Sequence, residues 1–119
     1  MSSPGLGLLR VPLLTAETAD EKTSVPVNCL GFSEFSIYVI GDGTTSSGVI
    51  TIETADFNPT TESDYAGTWH SLTTVNASDV TGDVQKLVPL TAGAYSFIRT
   101  RISTVIGGGG TISTVLVAV

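Results

Sequence analysis

The chain has 119 residues, the size of one ordinary domain, with 13% charged residues against about 25% in a typical soluble domain. Eleven acids against five bases give a net charge of -6, which argues against nucleic acid and anionic membrane surfaces, because both draw their affinity from clustered Lys and Arg. Arg10, Lys22, Lys86, Arg99 and Arg101 form no run. No 18-residue apolar stretch is present to span a bilayer as a helix.

Met1–Gly5 carries no positive charge, and the apolar run that follows is broken by Arg10 and Pro12, so no signal peptide is expected. Leu6, Leu8, Leu9, Val11, Leu13 and Leu14 are apolar, but the Pro and Gly residues of this stretch resist helix, and Pro12 has no N–H to give a central ladder. Residues 1–22 are therefore expected to form an extended edge segment or arm, and 23–119 a β-domain. An extended apolar arm gains ladder hydrogen bonds and side-chain pockets when it joins a neighbour's sheet. Leu8, Leu9, Arg10, Val11, Leu13 and Leu14 are thus candidate partner-binding residues. Deleting 1–14 is expected to leave the fold and weaken that binding.

Thr23–Leu30 predicts a short edge or bulged strand around Pro26. Glu34–Ile40 alternates, with Phe35, Ile37 and Val39 on one face and Ser36 and Tyr38 on the other. After a turn-rich stretch, Gly41–Gly48, the strand Val49–Thr54 points Ile50 and Ile52 inward and Thr51 and Glu53 outward. Ala55–Gly67 is a polar loop. Thr68–Val75 is a strand, Asn76–Asp83 a second polar loop with room for one helical turn, and Val84–Leu90 another strand.

Ala94–Ile106 puts Ile98, Ile102 and Ile106 on one face and Tyr95, Phe97, Arg99 and Arg101 on the other. Gly107–Gly110 then turns the chain into Thr111–Val119, which predicts a terminal hairpin. About eight strands at this spacing predict an all-β antiparallel sandwich, jelly-roll-like.

Chemistry-bearing residues are few. His70 is the one histidine and has no nucleophile or orienting group beside it in sequence. Cys29 has no second cysteine for a disulfide or a zinc set, so it reads as a small core hydrophobe in a chain that folds in a reducing compartment. Asp56, Glu62 and Asp64 share a loop but lack the EF-hand spacing. Gly107–Gly110 leads into a strand without a lysine, unlike a phosphate loop. No catalytic constellation, metal or cofactor is expected. Trp69 reads as a core anchor; a sugar platform with Tyr65 and Tyr95 is the alternative. Arg99 and Arg101 can fork onto a partner's carboxylates or onto Glu53 of their own sheet.

Val49-Ile-Thr-Ile-Glu53, then Gly67-Thr-Trp-His-Ser-Leu72, Val88-Pro-Leu90, Ala94-Tyr-Ser-Phe-Ile-Arg-Thr-Arg-Ile-Ser103 and a Gly-rich turn into Thr111–Val117 together resemble small β-sandwich virion proteins of tailed bacteriophages, most of all head decoration (cement) proteins. The resemblance covers about 60% of the chain. It implies a non-enzymatic role on the outer capsid surface, with the major capsid protein and further copies of the chain, as dimer or trimer, for partners. A tail, fibre or head-to-tail connector protein is the alternative within that class, and a carbohydrate-binding sandwich the alternative outside it.

Overall fold

The computed structural model describes residues 9–29, 31–56, 68–90 and 95–119. Among them are eight strands: β1 Leu9–Pro12, β2 Val27–Asn28, β3 Phe35–Asp42, β4 Ser47–Ala55, β5 His70–Asn76, β6 Gln85–Leu90, β7 Phe97–Gly107 and β8 Thr111–Ala118. One 3-10 turn, Ala77–Val80, follows β5. The strands form two antiparallel four-stranded sheets, ordered β1-β8-β3-β6 (sheet A) and β2-β7-β4-β5 (sheet B).

The pairings are nested. β1 lies on β8, β2 on β7, β3 on β6 and β4 on β5, as in a long hairpin folded over on itself; β3–β8 and β4–β7 contacts then close each sheet. The predicted terminal hairpin is therefore wrong. β7 and β8 are consecutive but belong to different sheets, and the glycine run carries the chain from one sheet to the other. Two apolar strands flanking Gly107–Gly110 look like a hairpin in sequence, yet β8 pairs with β3 and β1.

That crossing is shaped by close packing. Gly108 has φ +106, and a Cβ there would lie 2.7 Å from the Thr44 carbonyl oxygen. The Gly110 N–H donates to Thr44 O at 2.7 Å and the Ser46 N–H to Gly107 O at 2.9 Å, so the β7–β8 connection is sewn to the β3–β4 connection. The β5–β6 connection joins them: Gly82 N–H donates to Gly43 O at 2.9 Å, and Gly43 N–H to Asp83 Oδ1 at 2.7 Å. Three connections thus brace one end of the sandwich.

The core lies between the sheets. Ile37, Val39, Ile112 and Leu116 from sheet A meet Ile50, Ile52, Ile98 and Ile102 from sheet B, all fully buried. The alternation read for β3 is observed; Ile50, Ile52, Ile98 and Ile102 face inward as read, but Thr51, Glu53 and Phe97, read as outward, are buried too, and Tyr95 packs against the core. Two buried threonines bridge the layers: Thr100 Oγ1 and Thr114 Oγ1 are 2.7 Å apart. Each also serves the N-terminal segment, since Leu14 N–H donates to Thr114 Oγ1 at 3.0 Å and Thr100 N–H to Ser24 Oγ at 2.9 Å. Buried hydroxyls paired in this way avoid the cost of an orphaned polar group.

The N-terminal segment runs along both sheets. After β1 it follows β8 to Glu17, whose N–H and C=O both bond Ile112, and then crosses to β7, where Lys22 O accepts from Ile102 N–H at 2.9 Å. Leu14 is 2% exposed and belongs to the core. The burial of Leu14 runs against the expectation that deleting 1–14 leaves the fold.

Candidate functional site

The outer faces of the two sheets differ in chemistry, and the register shows how. On sheet B, Thr51 and Glu53 of β4 stand beside Arg101 and Arg99 of β7. Glu53 points outward, as its alternation predicts, yet it is only 5% exposed. Arg99 Nε donates to Glu53 Oε1 at 2.9 Å, and Arg101 Nε donates to Oε2 at 3.2 Å. Arg101 Nη1 also donates to both carboxylate oxygens of Glu21, at 2.9 and 2.8 Å. Partial burial works against the charge on Arg101, but the Glu53 and Glu21 carboxylates outweigh it and hold the guanidinium above its ordinary value.

Trp69 completes this network: the Arg99 Cζ lies 4.1 Å from the centre of its ring. The core-anchor reading of Trp69 is corrected by this placement. The indole is half-buried on the outer face of sheet B, immediately before β5, and stays outside the inter-sheet cluster. Tyr95 packs elsewhere, edge-on to Phe35 at 5.5 Å between ring centres. Trp69 and Tyr95 therefore do not form one platform, and Tyr65 lies outside the described residues. Arg99 and Arg101, offered by sequence as forks for a partner or for Glu53, are engaged with Glu53.

Sheet A presents the opposite surface. Its outward positions line up in rows across the strands. Arg10, Val117, Ser36 and Pro89 form one row, and Pro12, Val115, Tyr38 and Leu87 the next. Ser113, Ile40 and Gln85 follow. Leu87 is 50% exposed. Arg10, Tyr38, Ile40, Gln85, Val115 and Val117 line a shallow dent of about 400 Å³. From the Arg10 row to the Ile40 row the face holds no carboxylate; Glu34 flanks it at one end, lining a hollow with Ser36, Pro89 and Val117, and Asp42 flanks it at the far end of β3.

The N-terminal candidates divide between these environments. Leu9, Arg10, Val11 and Pro12 are the edge strand β1, where Arg10 faces outward on sheet A. Leu9 and Leu13 pack against the core, which includes Leu14. Leu8 lies outside the described residues. Sequence reasoning missed the rest of the sheet A face. The signal present was the run Val115-Leu-Val-Ala118, apolar on both sides of the strand, which marks a strand covered on both faces.

The remaining chemistry is sparse. Asp56, His70 and Ser96 line one pocket of about 230 Å³, and Ser96 Oγ donates directly to Asp56 Oδ1 at 3.1 Å. A nucleophilic relay needs the imidazole between hydroxyl and carboxylate, and no hydrogen bond among the described residues joins His70 to either. Cys29 is buried, its thiol donates to Val27 O at 3.4 Å, and burial pushes its pKa up to about 11 despite a backbone contact from Ile98 that pulls it down. Among the described residues no three His, Cys, Asp or Glu side chains are grouped to hold a metal ion; Glu62 and Asp64 lie outside them. The chain matches no protein-family model, no curated protein and no solved structure.

Proposed function

We propose that this protein is a non-catalytic virion protein, a head decoration protein that docks on the major capsid protein and works by contact alone. The observation that carries the docking half is the outer face of sheet A, where Leu87 is 50% exposed and Pro12, Tyr38, Ile40, Pro89 and Val117 stand in rows with Arg10, Ser36 and Gln85, the rows themselves holding no carboxylate. Apolar side chains left exposed together on one face of a small domain mark an interaction surface. The virion half rests on the resemblance of residues 48–119 to phage β-sandwich proteins. The nested pairing of β1 to β8 supports it, because it is the wrapping expected of a jelly roll.

Such a protein stabilises a shell by mass action. It binds the assembled lattice and not its separated subunits, so bound copies shift the equilibrium toward the lattice. Rigidity serves that role, and the braced loop end, the Thr100–Thr114 bridge and the Glu53 network all supply it. The test is co-sedimentation of the purified chain with assembled empty shells from the same virus. Saturable pelleting that raises the shell's melting temperature is the expected result. A chain that stays in the supernatant at every ratio overturns the decoration reading.

A further inference from the structure

We propose that the dent on the outer face of sheet A receives an acidic side chain of the docking partner, whose carboxylate binds Arg10. This rests on the docking reading of that face and names the chemistry the partner presents there.

Arg10 stands apart from the other bases. Lys22 pairs with Glu17, Lys86 with Asp79, Arg99 with Glu53, and Arg101 with Glu53 and Glu21. Among the described residues Arg10 is the one base without an ion pair, in a chain of eleven acids and five bases. Glu34, the acid that flanks the same face, lines a separate hollow. The exposed guanidinium keeps its donors free, in a planar fork that matches a carboxylate.

The dent supplies the rest. It runs diagonally over sheet A, from Arg10 on β1, past Val117 and Val115 of β8 and Tyr38 and Ile40 of β3, to Gln85 on β6. Val115, Val117 and Ile40 line it with hydrocarbon. The Tyr38 hydroxyl and the Gln85 amide are its other polar tips, and neither side chain makes a hydrogen bond among the described residues. A cation and two further donors call for an anion. The hydrocarbon beside them calls for an aliphatic stem, which glutamate and aspartate carry and phosphate does not.

Docking turns this match into a requirement. A partner that covers Val117 and Tyr38 also removes water from Arg10, and a guanidinium taken out of water without a counter-charge is costly. An arginine on an edge strand also keeps foreign strands from pairing. That role needs charge only, and accounts for neither the dent nor the missing ion pair.

The experiment is co-sedimentation of the full chain with assembled empty shells, for wild type and for Arg10→Lys, Arg10→Gln and Arg10→Glu. Urea unfolding verifies that each variant folds. Removing one partner of a buried charge pair weakens binding roughly thirtyfold or more, and Arg10→Gln is expected to do so. Arg10→Glu is expected to bind more weakly still, because it sets two carboxylates together, and Arg10→Lys to fall between wild type and Arg10→Gln. Lys22→Gln removes the same charge from the N-terminal segment, away from the dent, and is expected to bind as wild type does. Equal binding by Arg10→Glu and Arg10→Gln, or a loss in Lys22→Gln as large as in Arg10→Gln, overturns the inference. Wild-type binding by every Arg10 variant overturns it and leaves the virion reading standing. A second readout needs no shell: N-acetylglutamate α-amide, titrated into isotope-labelled chain, is expected to shift the Arg10, Tyr38 and Val117 resonances, and its glutamine counterpart to leave them in place. That selectivity in a chain that ignores shells supports the inference and overturns the virion reading. Equal shifts from both probes in such a chain overturn both.

Discussion

The guanidinium of Arg99 lies 4.1 Å from the centre of the Trp69 ring while its Nε bonds Glu53. One side chain thus neutralises a buried carboxylate and covers the tryptophan. Replacing Arg99 by Ala removes both contacts and leaves Glu53 with Arg101 alone. Charged hydrogen bonds are each worth about 1.5–3 kcal/mol, and Arg99→Ala is expected to cost about 2 kcal/mol in urea unfolding. Its Trp69 emission should shift red as the ring is uncovered. A variant within about 0.5 kcal/mol of wild type, the noise of surface changes, would show that the network contributes nothing.

Leu14 tests whether the N-terminal segment is part of the fold. Its side chain is 2% exposed, and its N–H bonds Thr114 across the sheet. Leu14→Ala is expected to cost about 2–5 kcal/mol, the range for deleting a buried leucine's branch. Arg10→Ala, outward on the same segment, is expected to stay within about 0.5 kcal/mol. Equal effects at the two sites would argue that the segment is an appendage.

Gly108 and Gly109 both hold positive φ, +106 and +93, but their surroundings differ. A Cβ on Gly108 runs into Thr44 O at 2.7 Å and Ser46 Oγ at 2.8 Å, whereas one on Gly109 meets open space. Gly109→Ala carries only the backbone strain, about 1 kcal/mol. Gly108→Ala must also displace the neighbouring connection, and is expected to cost at least about twice as much. Thermal melts of the pair measure the difference; the reverse order would mean the two connections are not packed as described.

Cys29 gives a pH signature. Its thiol ionises at about 11 in the folded chain against an ordinary 9.0. As pH rises through 9 the unfolded chain loses this proton and the folded chain keeps it, so unfolding becomes easier until about 11. The contribution, present below about 9, is lost across that window and amounts to at most about 3 kcal/mol. Cys29→Ala should flatten the alkaline limb relative to wild type. Below pH 9 the native thiol should resist a disulfide reagent that labels the unfolded chain at once; rapid labelling of native protein would contradict the burial.

Much of the sandwich was legible because its core strands alternate. Phe35, Ile37 and Val39, then Ile50 and Ile52, then Ile98 and Ile102, mark their inner faces by period two alone. Partners were not legible. Neighbourhood in sequence suggested that β7 pairs with β8, but ladder choice depends on long-range register, which local pattern does not encode. Glu53 shows the same limit. Its outward direction follows from alternation, while its burial depends on which strand brings Arg99 and Arg101 alongside. The sheet A face was hidden for a related reason: Tyr38, Ile40, Val115 and Val117 come from two strands that are distant in sequence and adjacent only in the sheet.

β8 lies between β1 and β3 in sheet A, so residues 111–118 supply an inner strand to two strands made roughly seventy or more residues earlier. During synthesis β1 and the β8-facing edge of β3 must wait unpaired until these residues have left the ribosome. Assembly of sheet A is thereby tied to the synthesis of residues 111–118. A ribosome stalled before Thr111 should hold a chain whose β1 and β3 lack their shared partner strand and are open to proteases there.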